Sequence, residues 1–146
     1  MRVSNILALG SAALVSAAPL QERADLGEFS ITNFVFGCTV TCDWSFDVTI
    51  GPKFDHHPAV KKAVHCSGTK DIKSFQDGTC TDISGTQTLR AFIGPADRLK
   101  LQYEIQYPQE GATYWYQGGK KVGSQTGNNP SPASFTVPEL KASAIA

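Results

Sequence analysis

Hydrophobic residues along this chain recur with a period of two. Trp44, Phe46, Val48 and Ile50 alternate with Asp43, Ser45, Asp47 and Thr49. Leu99, Leu101, Tyr103, Ile105 and Tyr107 alternate with Lys100, Gln102, Glu104 and Gln106. Phe29 and Ile31 alternate with polar neighbours ahead of Phe34 and Phe36. Such alternation predicts antiparallel strands with one buried face and one wet face. Shorter candidates cover 59–66, 88–93, 112–117 and 135–137. Gly-Pro at 51–52 and 94–95 and Gly-Gly at 118–119 punctuate them. No stretch of helical length carries an amphipathic stripe. The pattern predicts an all-β domain of about seven or more short strands, an antiparallel β-barrel or β-sandwich. Segment 118–134, rich in Gly, Ser, Asn and Pro, is expected as a long polar loop before a final short strand.

The N-terminus reads differently. Arg2 is followed by an apolar run from Ile6 to Val15 and by the small residues Ser16, Ala17 and Ala18. Charge, short apolar run and small-residue exit, in that order, make a secretory signal peptide over 1–18, too short to span a bilayer. Cleavage is expected after Ala17 or Ala18. Residues 19–28 form a short N-terminal segment, with Arg23 as the end of a candidate pro-segment. Residues 29–146 then make one β domain, within the usual size of a single core. The expected localisation is secreted and extracellular.

That compartment decides how the cysteines read. Cys38, Cys42, Cys66 and Cys80 all follow the leader. In an oxidising environment four cysteines in a small chain read as two disulfides, with three possible connectivities. On one continuous strand Cys38 and Cys42 would lie about 13 Å apart, too far to bond. They pair only if Thr39–Thr41 turn tightly, as the apolar runs on both sides favour. Cys66 and Cys80 flank the polar stretch 67–79. The favoured pairs are Cys38–Cys42 and Cys66–Cys80. The rival joins Cys38 or Cys42 to a downstream cysteine and staples two sheets.

Composition removes some classes of partner. Lys+Arg and Asp+Glu number 13 each in the 146 residues, and losing Arg2 with the leader leaves the mature chain slightly acidic. Nucleic acid needs a basic footprint, which the balance does not supply. No apolar segment after the leader is long enough to cross a membrane as a helix.

Candidate chemistry is sparse. Asp43 and Asp47 share a strand face about 13 Å apart, beyond the ~5–9.5 Å spacing of glycosidase carboxylates. Asp55-His56-His57 and His65 are the only histidine cluster. Neighbouring histidines on a strand point opposite ways, and zinc-finger spacing is missing. A solvated loop ahead of Pro58 is the expected reading, with no metal, no cofactor and no catalytic residue assigned. Tyr114, Trp115 and Tyr116 are consecutive, so at least one faces outward. With Lys120 and Lys121 beside them they are the candidate recognition surface for a partner protein or a sugar ring.

Several of these residues resemble a known family. The leader ends in Ala-Ala-Pro-Leu and is soon followed by arginine. Phe29-x-Ile31-x-x-Phe34 leads to Cys38. Cys42 is followed by Asp43-Trp44-Ser45-Phe46-x-Val48, then by Cys66-Ser67-Gly68. Leu99-x-Leu101 precedes Gly111, and Tyr114-x-Tyr116-x-Gly118 follows. This order is similar to the fungal secreted β-barrel family of the Alternaria major allergen, and most similar to its branch of hypersensitive-response-inducing elicitors. The likeness runs from about Phe29 to Gly119. This chain has no leftover cysteine for the allergen's covalent dimer, which leaves a monomer or a non-covalent oligomer. The resemblance implies a non-enzymatic elicitor or effector recognised by a plant cell-surface or apoplastic protein, in defence and virulence. The alternative is an extracellular β-barrel that binds a carbohydrate or small ligand, in its aromatic run or its interior.

Overall fold

The computed structural model describes residues 26–53, 56–71, 74–75, 79–124 and 133–146. The expected leader and pro-segment, Asp55 and 125–132 lie outside the described residues. Among the described residues there are eight strands: β1 Glu28–Cys38, β2 Cys42–Ile50, β3 Val60–Thr69, β4 Thr79–Cys80, β5 Gln87–Gly94, β6 Arg98–Tyr107, β7 Ala112–Lys121 and β8 Ala133–Ile145. They form one antiparallel sheet in the order β4-β3-β2-β1-β8-β7-β6-β5. The sheet curls until β5 lies beside β3 and β4, giving a nearly closed barrel. Closure hides the edges that an open sheet would present to other chains. Among the described residues no helix is long and apolar enough to cross a membrane.

The period-two reading places the core. Trp44, Phe46, Val48 and Ile50 are buried, while Asp43 is exposed and Asp47 is half-buried at the surface. Leu99, Leu101, Tyr103 and Ile105 fill the interior from β6. Phe29, Ile31 and Phe36 enter from β1, with Phe34 joining across a register shift between Thr32 and Val35. Asn33 sits at that bulge with φ of 52°, a left-handed conformation that Asn tolerates better than most residues. Large side chains pack the inside of the barrel as one hydrophobic core.

Both favoured disulfides are present, Cys38–Cys42 across the β1–β2 turn and Cys66–Cys80 between β3 and β4. Each joins residues paired in register. Two described residues between the bridged cysteines, Lys70 and Phe75, reach β5 and the turn that follows it. There Phe75 meets Phe92 edge-on at 5.0 Å, and Lys70 Nζ reaches Asp97 Oδ1 at 2.6 Å. Phe92 points outward yet is buried, with Phe75 packed against it. Two disulfides in a small β-barrel fit an extracellular protein.

The expected loop over 118–134 needs correction. β7 runs on through Gly118 and Gly119 to Lys121, and β8 begins at Ala133. The Gly-Gly pair is not a turn. A Cβ on Gly118 would stand 2.5 Å from the Pro138 carbonyl oxygen and 2.9 Å from the Phe29 ring. Glycine is needed there because β8 passes too close for any side chain. The final strand is also long, at 13 residues. Its first part, Ala133–Pro138, pairs with β1 and its second, Glu139–Ile145, with β7. Pro138 stands where β8 changes partner, a position that spares most of the ladder its missing N–H.

Candidate functional site

The β2–β3 connection crosses one end of the barrel and carries two adjacent histidines of opposite orientation. Two tyrosine hydroxyls hold this loop through its backbone carbonyls. Tyr103 Oη donates to the Pro58 oxygen and Tyr116 Oη to the His56 oxygen, each at 3.2 Å. Inside the barrel such phenols bury their rings and still satisfy their hydroxyls.

His57 points inward. Its side chain and that of Glu139 are both 0% exposed, and Nε2 lies 2.6 Å from Glu139 Oε1. Glu139 Oε2 accepts from the Gly27 backbone N–H at 3.0 Å, and Glu139 N–H donates to the Gly27 oxygen at 3.0 Å. The His57 ring packs edge-on against Tyr116 at 4.4 Å and Tyr103 at 5.7 Å. His57 Nδ1 is buried without a hydrogen-bond partner among the described residues. Burial and then Glu139 push the Tyr116 hydroxyl up to about 12, while burial and then Tyr107 and Tyr116 push the Tyr103 hydroxyl well above its ordinary range. The expected solvated loop is therefore corrected at His57, which latches the end of the barrel. A histidine–carboxylate pair is competent for proton transfer, but this one has no exposed atom to meet a substrate.

His56 points outward onto the rim. Its ring lies parallel to Tyr114 at 4.3 Å and edge-on to Tyr107 at 5.0 Å, and Tyr107 meets Tyr114 edge-on at 5.7 Å. His56 Nε2 is 3.2 Å from Glu110 Oε2 on the β6–β7 turn. Burial, then Glu110 and Tyr114, raise the Tyr107 hydroxyl from its usual value. The rings form a fixed shelf of half-exposed groups beside an open hollow of about 520 Å³ that includes Pro58, Thr86, Ile105 and Glu110.

The expected recognition surface is divided among four places. Tyr114 belongs to the rim shelf. Tyr116 is a buried core residue. Trp115 lies on the outer wall, its Nε1 donating to Glu104 Oε2 at 2.9 Å. Lys120 and Lys121 stand at the opposite end of β7, about 20 Å from Tyr114 along the strand. Lys120 donates to the Thr136 oxygen at 3.2 Å and lies over the Phe135 ring at 5.1 Å. Sequence reasoning missed Glu139 and Tyr107 as partners of the histidines. A signal for Glu139 existed, since Phe135 and Val137 alternate inward and the next residue in step is Glu139.

A third histidine sits on the wall. His65 Nδ1 is 2.8 Å from Asp47 Oδ1, and Asn33 Nδ2 donates to Asp47 Oδ2 at 2.9 Å. The Asn33 bond and then His65 hold the Asp47 carboxyl below its usual value. No group of three or more His, Cys, Asp or Glu is placed to hold a metal ion among the described residues.

The fold and its rim thus define a disulfide-pinned antiparallel β-barrel with a filled interior and an aromatic–histidine shelf at one end. Comparison of the chain with known protein families, with curated proteins and with solved structures returned no match.

Proposed function

We propose that this protein is a secreted fungal elicitor or effector that plant cells recognise, provoking a hypersensitive response without catalysing a reaction. The residue pattern from Phe29 to Gly119 supports the family reading. The rim shelf supports recognition as the mode of action. His56, Tyr107 and Tyr114 offer ring faces already fixed by stacking, by Glu110 and by the latch beneath. Rigid aromatics lose little entropy on binding and carry a large share of interface energy. The filled interior directs any partner to the outside of the barrel.

The test is infiltration of purified protein into leaves, with no substrate added. Wild type should cause cell death or an oxidative burst. Tyr114→Ala and His56→Ala, at unchanged circular dichroism and melting temperature, should reduce the response strongly. Asp43→Asn, Asp47→Asn and His65→Gln should leave it nearly intact. A catalyst behaves differently, since removing its acid or base lowers the rate by ~10²–10⁴-fold. Loss of the response through Asp43, Asp47 or His65 alone, in a folded protein, would contradict the reading.

A further inference from the structure

One part of the wall collects positive charge without answering it. Arg98 at the start of β6 pairs in register with Lys121 at the end of β7. Like charges directly opposite each other on a sheet are destabilising. Lys100 follows on the same face of β6 and stands opposite Gly119, and Lys141 of β8 stands opposite Gln117. Among the described residues none of these four cations has a carboxylate within 4.0 Å, whereas Lys70, Arg90 and all three histidines do. The sheet therefore carries a repulsion that an external anion would relieve.

Three of these cations edge a groove. Arg98, Lys100 and Lys141 line a hollow of about 240 Å³ with Gln117, and Phe75 and Leu140 form apolar walls. Its floor is the Gly118–Gly119 backbone. A Cβ on Gly119 would stand 3.4 Å from Arg98 Nε, so the guanidinium lies close over the bare glycine. Lys100 Nζ sits 5.4 Å above the Phe92 ring, which Phe75 braces. The ammonium is thereby placed on a firm aromatic base.

We infer that this groove binds an acidic polysaccharide, a linear chain of sugar rings with one carboxylate on each unit. Arg98 and Lys100 are about 7 Å apart along β6, and Lys141 is two strands away, about 10 Å to the side. Charges spread in this way match carboxylates spaced along a polymer better than one compact phosphate. Phe75 and Leu140 suit the C–H faces of sugar rings, and the Gln117 amide suits their hydroxyls. The patch is one hollow wide in a chain of formal net charge +0, which disfavours duplex nucleic acid. The site lies on the wall, away from the rim shelf, and does not depend on the elicitor reading.

Titration calorimetry of the full mature chain with polygalacturonate oligomers tests this. The same oligomers fully methyl-esterified are the neutral control, and duplex DNA is the second polyanion. Binding should be seen with the acid form, weaken as salt rises, and be absent with the ester. The double substitution Lys100→Ala, Lys141→Ala should lower affinity by about tenfold or more. Lys61→Ala, Lys62→Ala on β3 should leave affinity within about twofold. No binding of the acid form, equal binding of the ester, equal loss in both double variants, or DNA bound as tightly as the acid oligomer would each overturn the inference. The wild-type comparison of acid and ester decides the matter even if a variant fails to fold. The leaf response is not read in this assay, so the two proposals stand or fall separately.

Discussion

Two buried tyrosines and one buried histidine–carboxylate pair concentrate the chemistry of this barrel at single residues. Tyr103 and Tyr116 hold their protons more tightly in the folded protein than in an unfolded chain, where the hydroxyl titrates near 10. Their contribution to stability is complete below that pH. It is lost as pH rises from about 10 through the folded value of about 12 for Tyr116. The melting temperature should fall steeply across that window, and Tyr116→Phe should flatten the slope in a pH series of thermal melts. The latch makes a second demand. Glu139→Ala removes the partner of the buried His57 Nε2 and of the part-buried Gly27 N–H. Removing one member of a buried pair costs about 3–5 kcal/mol. Glu139→Gln keeps an oxygen in place and should lose clearly less in urea titrations of the two variants.

At the scale of elements, β8 and the Cys66–Cys80 loop carry most of the consequence. β8 serves β1 with its first half and β7 with its second, and the switch occurs where Pro138 crosses Gly118. Gly118→Ala forces a methyl against backbone at 2.5 Å, which no rotamer change relieves. Overpacking of this kind costs roughly 1–3 kcal/mol, and the midpoint of denaturation should drop accordingly. Gly123→Ala, with nothing within 4 Å of its new Cβ, is the matched control. The disulfide loop ties β3 and β4 to the far end of the sheet through Phe75 on Phe92 and Lys70 on Asp97. Replacing Cys66 and Cys80 by serine should cost about 2–4 kcal/mol for a loop of this length. It should also expose Phe92, which hydrogen exchange in β5 would report. The bridge across Cys38–Cys42 closes a much shorter loop, and its loss should matter less.

At the scale of the molecule, the barrel separates its possible tasks by position. The interior is occupied by the core, one end is closed by the histidine loop, the rim displays aromatic rings, and the wall gathers cations. A mutation map of leaf response and a mutation map of acidic-glycan binding should therefore not overlap. Tyr114→Ala should change the first and spare the second, and Lys100→Ala with Lys141→Ala should do the reverse. Calorimetry and infiltration on the same preparations measure both. Two maps centred on one residue set would mean that a single surface performs both tasks.

The sequence alone determined the all-β class and the inward faces of β1, β2 and β6, and it favoured the disulfide pairs that are present. Those features follow from local rules: a strand exposes alternate residues, so Trp44 through Ile50 had only one consistent orientation. Cys38 and Cys42 are near neighbours along the chain, so a turn between them was enough to bring them together. Only the tertiary structure decided what His57, Gly118 and the lysines do. His57 is buried because Glu139, 82 residues later, supplies a carboxylate from a strand that local pattern placed as ending at Val137. Gly118 reads as a turn signal until β8 is known to lie against it. Arg98, Lys100, Lys121 and Lys141 are scattered over three strands, and nothing short of their register sets them side by side. Periodicity along a chain fixes which way a side chain points, while the neighbour it meets depends on which strands the barrel brings together.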